Sequence, residues 1–161
     1  HRAPGVAGAA LAHGQFAEII PDLLHVHPGA IHAALRAIPG LFCVTDATAA
    51  AGMPDGEYHL GHGAAAQRVH KCLGAVRLAD GTLAGSALTL DQALRNLVQI
   101  GLGLAEASHR LATVAAQYLG LADRGRLVAG ARADCVTLDR DLRLRSVLVE
   151  GECIEARTSE A

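Results

Sequence analysis

The sequence predicts an α/β fold that contains a parallel β-sheet. Two short apolar runs, beginning at Phe16 and at Leu41, flank a segment of helical periodicity over 28–38. A strand, a helix and a second strand within so short a span form a βαβ unit, whose two strands are parallel. Asp46 follows the second run, at the strand end where α/β barrels place their catalytic groups.

The composition is that of a globular protein with an aliphatic core. The chain has 161 residues, of which 51% are hydrophobic and 2% aromatic. A chain of this length buries about 70% of the surface that its unfolded form exposes, which is enough for a core of small aliphatic side chains. The formal net charge is −2, with acidic and basic residues interspersed, so we expect no nucleic-acid partner and no membrane partner.

The cysteines and the first residue bear on the context of the chain. Cys43, Cys72, Cys135 and Cys153 are widely spaced and form no CxxC pair, which argues against a zinc ribbon or a redox motif. Such a use of cysteine suits a protein of the reducing cytoplasm. No apolar run reaches the ~18 residues of a membrane helix, and no signal peptide opens the chain. Because the first residue is His rather than Met, we expect a longer protein whose start lies upstream.

Two interpretations of Asp46 stay open from the residues alone. The run Leu41–Val44 before it predicts a short strand buried on both faces. A carboxylate at the end of such a strand can transfer protons, because burial raises its pKa and a nearby cation lowers it. The structural alternative is an Asp whose carboxylate caps the following segment.

Several histidines invite a metal interpretation. A second short buried strand is predicted from Phe16, and its polar end carries His25 and His27, which share a face in an extended chain and could ligate a metal as a pair. The alternative places His27 at the entry of the following helix. For the histidines of the next segment a surface position is favoured, since its Gly/Ala-rich loop is too pliant to fix a ligand set. They are His59, His62 and His70.

The second half of the chain predicts two helices and then strands. Thr89 is expected to cap a helix over Asp91–Ile100, whose apolar side chains form one stripe. A second helix is predicted over Leu104–Leu119 and ends at Gly120, with His109 exposed or satisfied within it. Short apolar runs between turn residues predict strands after residue 126.

Several motifs carry a resemblance to a known family. The residues Val44-Thr45-Asp46-Ala47, with Ala49–Gly52 and Pro54–Tyr58, closely resemble N-acetylglucosamine-6-phosphate deacetylases, which are metal-dependent members of the amidohydrolase superfamily. Four further segments extend the resemblance along the chain: Arg2–Gly5, Asp22–Pro28, Gly81–Thr89 and Arg132–Asp139.

The resemblance implies roles for individual residues. Asp46 would be the catalytic acid-base group, and Arg2 and His25 would contact the substrate, Arg2 through its phosphate. One departure is Leu23, which stands where the family has Gly and could crowd the phosphate side. The full set of implied substrate-binding residues is Arg2, Asp22, Leu23, Leu24, His25, Leu83, Ala84 and Gly85.

The fold that the resemblance implies is the C-terminal part of a (β/α)8 barrel, followed by C-terminal strands of a small β-sandwich. The barrel part would span 1–125, with an irregular insertion near 57–81 that lacks clean alternation, and the sandwich strands 126–161. A divalent metal, Zn or Fe, would be held by a Glu and two His that lie before His1. The resemblance further implies a cytoplasmic enzyme that acts on a small sugar phosphate and forms a homodimer at full length, and the present residues alone are expected to be inactive.

Two alternatives stay open. Another amidohydrolase, either dihydroorotase-like or a different amino-sugar deacetylase, would share the Asp and the late Ala-Asp signature at Ala133-Asp134. A non-catalytic remnant of a disrupted gene would keep the same motifs without the activity.

Overall fold

The computed structural model describes residues 3–63 and 66–154. The helices are α1 (Gly5–His13), α2 (Pro28–Ala37), α3 (Leu90–Gln99), α4 (Leu104–Ser108) and α5 (Val114–Tyr118), with a π-helical turn at His109–Thr113 between the last two. The first six strands are β1 (Phe16–Ile19), β2 (Gly40–Cys43), β3 (Gly56–Leu60), β4 (Gln67–Cys72), β5 (Ala75–Arg77) and β6 (Leu83–Ser86). The last three are β7 (Cys135–Leu138), β8 (Leu144–Val149) and β9 (Glu152–Ile154).

The predicted βαβ unit is present. β1 and β2 pair in parallel, from Phe16 opposite Gly40 to Ile19 opposite Cys43, and α2 forms the crossover. All four residues of β2 are buried, as the apolar run predicts. The expectation that β1 is also a buried strand is wrong, because its residues alternate between exposed and half-buried, and Phe16 is 46% exposed. Among the described strands β1 pairs with β2 alone, so its outer edge has no strand partner there.

Local signals explain where α2 begins and ends. His27 takes the N-cap position and its Nδ1 accepts a hydrogen bond from the Gly29 amide at 3.1 Å, while Pro28 supplies the fixed φ of a first helical residue. Ile31 and Ala34 face the core one turn apart. The predicted position of His27 at a helix entry is confirmed, and its Nδ1 lone pair is occupied by this cap.

The described residues of the segment 57–81, where the sequence predicts an irregular insertion, form β-strands. β3, β4, β5 and β6 form an antiparallel meander, and β3 alternates between exposed and half-buried residues. Val69 and Val76 are buried on its inner face together with Ala50. The sequence does not predict these strands because their outward positions carry His, Arg and Gln and their turns are short, which leaves too few apolar positions for a period to stand out.

A short bridge joins the meander to the segment that follows β2. Ala47 and Ser86 form a parallel bridge. The Thr48 amide donates to the Ser86 carbonyl at 2.8 Å, and the Ser86 amide donates to the Asp46 carbonyl at 3.2 Å. The chain after β2 is therefore fastened to the end of β6.

The largest core cluster of the described residues joins the helical layer to the sheet. Ile31 and Cys43 meet Leu94, Leu97 and Ala107 in this cluster, so α2, β2, α3 and α4 share it. The predicted apolar stripe of α3 is thereby confirmed in its buried members. Thr89 occupies the N-cap position, but its side chain makes no cap hydrogen bond, so the expected cap is not confirmed.

The predicted helix over 104–119 is present, with one irregularity that the sequence does not signal. The π turn His109–Thr113 separates α4 from α5 without breaking the helical path. Arg110 within this turn donates from Nη1 to the carbonyls of Pro39 at 2.7 Å and Leu41 at 3.1 Å, which fastens the helix to the start of β2.

The last strands form a separate three-stranded antiparallel sheet in the order β7-β8-β9. Arg95 of α3 donates to the Leu142 carbonyl at 2.9 Å in the turn between β7 and β8, and Leu138 packs against the helical core. Along 3–63 and 66–154, none of the helices is long and apolar enough to cross a membrane.

Candidate active site

The residues predicted to form a site lie on segments that leave the same edge of the molecule. The loop after β1 carries Asp22 to His25, and the residues after β2 carry Asp46. Because β1 and β2 are parallel and paired in register, both segments emerge at the carboxyl end of the sheet. The Val44 amide donates to the Ile19 carbonyl at 3.0 Å, which keeps the two exits adjacent. The Ala47–Ser86 bridge adds the end of β6 to this edge.

Asp46 is exposed and lies in the left-handed region with φ 47°. Asp tolerates this conformation better than most residues, yet a non-glycine residue there is uncommon and often marks a functional position. In the described part of the chain its carboxylate makes no hydrogen bond; only its carbonyl is engaged, by Ser86. The geometry therefore does not support the structural alternative, in which the Asp46 carboxylate caps the next segment.

Asp22 and His25 form a compact pair. Asp22 Oδ2 lies 2.5 Å from His25 Nδ1, and Asp22 Oδ1 accepts the amides of Leu24 at 3.0 Å and His25 at 2.9 Å. The Asp22 side chain is 4% exposed and that of His25 is 21% exposed. An ionised carboxylate only accepts, so the bond assigns the proton to Nδ1 and leaves Nε2 as the outward nitrogen of the ring.

Leu23 and Leu24 lie between these two residues and face different ways. Leu23 has φ 65°, in the left-handed region that favours glycine, and its half-buried side chain packs against the core cluster. The glycine that the resemblance places here is thus matched by a backbone that suits glycine. The expectation that Leu23 crowds a ligand finds no support in this orientation, whereas Leu24 is 45% exposed.

Strand β6 consists of Leu83, Ala84, Gly85 and Ser86, and the first three of these residues are half-buried. Gly85 has φ 121°, and a Cβ there would lie 2.4 Å from Thr48 Cγ2. The absence of a side chain at Gly85 is therefore required for the bridge between the two segments to close. Ser86 is fully buried, and its Oγ accepts the Leu88 amide at 2.9 Å.

The remaining candidates are not part of this edge or cannot be placed. Arg2 lies outside the described residues. His59, His62 and His70 are exposed, His59 and His70 on neighbouring strands of the meander. Within 3–63 and 66–154 no group of three or more His, Cys, Asp or Glu side chains could hold a metal ion. Cys43 in β2 is no candidate nucleophile either, because burial raises the pKa of its thiol to about 12 despite the opposing charge of Arg110.

Comparison with known proteins decides the family. A scan against models of protein families finds no match. An N-acetylglucosamine-6-phosphate deacetylase of Lysinibacillus sphaericus is 41% identical over 155 residues, which are 94% of this chain and 39% of that protein. A putative N-acetylgalactosamine-6-phosphate deacetylase of Escherichia coli strain K12 is 40% identical over 156 residues, covering 94% of this chain and 91% of that protein. The chain belongs to the N-acetylglucosamine-6-phosphate deacetylase family.

A solved structure extends the likeness to the fold. The chain superimposes with a TM-score of 0.79 on a mutant N-acetyl-D-glucosamine-6-phosphate deacetylase from Mycobacterium smegmatis in complex with N-acetyl-D-glucosamine-6-phosphate, at 34% identity over 91% of this chain and 40% of that chain. The predicted fold class, the C-terminal part of a (β/α)8 barrel with strands of a small β-sandwich, is confirmed. The chain spans about two fifths of the length of this structure and of the Lysinibacillus relative.

Sequence reasoning missed one polar residue that bears on the site. Asn96 is 6% exposed on the buried face of α3, and its Nδ2 donates to the Pro21 carbonyl at 2.9 Å. The sequence does contain one signal for it, because Asn96 lies between Leu94 and Leu97 in an apolar stripe. A polar group that is buried there requires a hydrogen-bond partner. The sequence gives no indication of which partner, because the two residues are 75 positions apart.

Proposed function

We propose that this chain is part of an enzyme that hydrolyses the acetamide of N-acetylglucosamine 6-phosphate to glucosamine 6-phosphate and acetate in amino-sugar catabolism. The observation that carries the proposal is the meeting of the Asp46 segment, the Asp22–His25 loop and the Leu83–Ser86 strand at one sheet edge. The relatives at about 40% identity support it, because their names state this chemistry on sugar phosphates.

Asp46 is the acid-base residue of the proposal. Its exposed carboxylate takes a proton from the attacking water and returns it to the leaving amine, so the nitrogen departs as a neutral amine. The left-handed backbone at Asp46 turns the chain immediately after the strand, which presents the side chain at the edge rather than in the sheet. His25 Nε2 and the Arg2 guanidinium contact the sugar phosphate, and Leu24 and Leu83–Gly85 line the pocket around it.

A divalent metal, Zn or Fe, belongs to the proposed full-length enzyme. The described residues do not fit such an ion on their own, because no three potential ligands lie together in 3–63 or 66–154. In the proposed enzyme the ligands are a Glu and two His that lie outside the described residues, as the resemblance implies. We also propose a homodimer working in the cytoplasm, and a division of this chain near residue 125, where α5 is followed by the segment that leads into β7.

A second substrate has an observation of its own. The Escherichia coli relative, of which this chain covers 91%, is named for the C4 epimer, N-acetylgalactosamine 6-phosphate. Both sugars carry the same acetamide and phosphate, so the chemistry at Asp46 is identical, and the contacts to the sugar ring decide between them.

The proposal is tested with Asp46→Asn in the full-length, metal-loaded protein. Asn is as tolerant of a left-handed backbone as Asp, so the variant keeps the fold while it loses the titratable group. We expect kcat for deacetylation to fall by about 10²–10⁴, since this is the usual contribution of general acid-base catalysis. Release of acetate from each sugar phosphate is the measurement.

Unphosphorylated N-acetylglucosamine and dihydroorotate serve as comparison substrates in the same assay. A marked preference for either sugar phosphate supports the proposal and selects the epimer. Turnover of dihydroorotate instead would favour another amidohydrolase, and no turnover of any substrate by the metal-loaded protein would favour a non-catalytic remnant. Retention of most of kcat by Asp46→Asn would remove Asp46 from its role.

A further inference from the structure

Asn96 is a buried amide whose hydrogen-bonding groups both have partners. Its Nδ2 donates to the Pro21 carbonyl at 2.9 Å, and its Oδ1 accepts from Gln92 Nε2 at 2.7 Å. The orientation of the amide is fixed by these partners, because a carbonyl can only accept a hydrogen bond. An apolar side chain at this position would leave the buried Pro21 carbonyl without its donor.

Pro21 immediately precedes the pair formed by Asp22 and His25. It is among the most buried side chains of the molecule, and it has no amide hydrogen with which to fix the loop by itself. Its carbonyl is therefore the point at which α3 holds the backbone just before Asp22. The bond spans 75 positions of sequence and joins a rigid helix to a loop.

Asp22 passes this restraint to the imidazole. Both of its oxygens are engaged inside the loop, Oδ1 by the amides of Leu24 and His25 and Oδ2 by His25 Nδ1. With its side chain 4% exposed and its oxygens engaged in this way, Asp22 is placed to hold His25 rather than to touch a ligand. The ring is held at Nδ1, and within the described residues its Nε2 makes no hydrogen bond.

We propose that Asn96 is a positioning residue that acts through the Pro21 carbonyl and Asp22 to aim His25 Nε2 at the substrate. This rests on the proposed function, in which His25 contacts the sugar phosphate. The restraint fixes the direction of the ring and keeps a proton on Nδ1, so Nε2 is the nitrogen that faces the ligand. It donates to a phosphate oxygen when the ring is protonated and accepts from a sugar hydroxyl when the ring is neutral.

The kinetic test compares two substitutions on the same helix in the full-length, metal-loaded protein. Asn96→Leu keeps the branching at Cγ but has no donor, so the loop loses its hold on α3. Leu97→Ala, the matched control, opens a cavity in the core next to Asn96 and leaves the bond to Pro21 intact. We expect Asn96→Leu to raise KM for the sugar phosphate about 10- to 100-fold, because small misplacements of binding groups cost this much. Leu97→Ala should keep KM within about twofold, since loss of folded protein lowers apparent kcat and not KM.

Gln92→Ala is the second variant, because Gln92 is exposed and its replacement spares the core. It frees the Asn96 amide to turn, and we expect a smaller rise of KM, about 2- to 10-fold. Equal KM values for the wild type, Asn96→Leu and Gln92→Ala would overturn the proposal. The proposal would also be overturned if Leu97→Ala raised KM as much as Asn96→Leu does.

Nitrogen-15 NMR of the His25 ring separates this proposal from the proposed function. In the wild type we expect the neutral ring to carry its proton on Nδ1, the reverse of the tautomer that predominates in water. In Asn96→Leu, as in Asp22→Asn, this preference should weaken. A wild-type protein that turns over neither sugar phosphate contradicts the proposed function, whereas ring signals unchanged by Asn96→Leu contradict the role of Asn96.

Discussion

At the scale of single residues, Leu23 is held in a conformation that its side chain disfavours. Its φ of 65° costs an L-residue roughly 1–2 kcal/mol that glycine does not incur. We therefore expect Leu23→Gly to be more stable than Leu23→Ala by about 1 kcal/mol in urea-induced unfolding. The two variants lose nearly the same buried side chain, so the difference between them isolates the backbone term.

The control for Leu23 is Ala33→Gly in the interior of α2. There the backbone is right-handed, and glycine should be less stable than alanine by about 1 kcal/mol. If glycine were also the less stable of the two variants at position 23, Leu23 would not be held in the left-handed region in solution.

Cys43 makes the stability of the fold depend on pH in the alkaline range. Burial raises the pKa of its thiol from 9.0 to about 12 in the folded chain. Between these two pH values the Cys43 thiol has lost its proton in the unfolded chain and has kept it in the folded chain. The stability that Cys43 contributes to the fold is therefore fully present below pH 9.0 and is lost as the pH rises through this range. We expect the free energy of unfolding to fall by up to about 1.4 kcal/mol per pH unit in this window from Cys43.

The measurement for Cys43 is urea unfolding as a function of pH. Cys43→Ala should be less stable near neutral pH but should show a shallower decline above pH 9.0. Cys72→Ala, at an exposed cysteine, should leave the slope of the wild type unchanged. Identical slopes for all three proteins would mean that the Cys43 thiol ionises freely in the folded state.

Residue roles were predictable where they depend on local pattern. The burial of Leu41 to Cys43 and the helix-entry position of His27 follow from neighbouring residues, and the structure confirms both. The partners of Asn96 and Ser86 could not be predicted, because burial follows from periodicity while a hydrogen bond across 75 residues follows only from the assembled fold. The roles of Asp46 and of the substrate-binding set stay predictions.

At the scale of elements, Arg110 connects the helical layer to the parallel sheet. Its guanidinium bonds Glu106 and also the Pro39 and Leu41 carbonyls, and its side chain is only 13% exposed. A lysine cannot reproduce this planar fork. We expect Arg110→Lys to lower the free energy of unfolding by about 1–3 kcal/mol, because carbonyls at the start of β2 lose their donor.

Arg124→Lys is the matched control for Arg110 in the same urea titration. Arg124 contacts the adjacent Asp123 at the surface, so its replacement should change the free energy of unfolding by less than about 0.5 kcal/mol. Equal losses for both variants would show that Arg110 contributes through charge alone and not as a connector between elements.

Elements were predictable where their own period is strong. The helices α2 and α3 combine a clear apolar stripe with Pro or Thr at their starts, and both are present. α1 is an apolar run of small residues with no polar face, so no helical period marks it. β1 was expected to be buried, yet burial depends on what lies beside a strand, and the sequence of the strand does not contain that information.

At the scale of the whole molecule, apolar surface is exposed in the described chain and the outer edge of β1 has no strand partner. Val6 is 90% exposed and Leu127 82% exposed, and β1 presents Phe16 at an edge without a described neighbour. Open edges and apolar patches promote association. We expect these 161 residues, expressed alone, to associate as concentration rises, as measured by light scattering on a size-exclusion column.

Phe16→Lys should reduce that association, since a charge on an edge strand opposes pairing with another chain. Leu73→Lys changes a side chain that is 88% exposed in the turn between β4 and β5, and it should have little effect. A monomer at all concentrations with one cooperative unfolding transition would contradict the expectation.

The π turn in the helix has a consequence for how length can vary in this protein. A π turn closes its hydrogen bonds over one more residue than an α-helix does, so His109–Thr113 accommodates one extra residue within the helix. Deleting one residue there would convert the turn to regular α-helix and leave the residues after it on the faces they now occupy. Val114 and Ala116 would then stay buried in the core, whereas the same deletion in a regular α-helix would rotate them by about 100°. Loss of a single codon is usually tolerated in an exposed loop, and the π turn makes it tolerable in the middle of this packed helix as well.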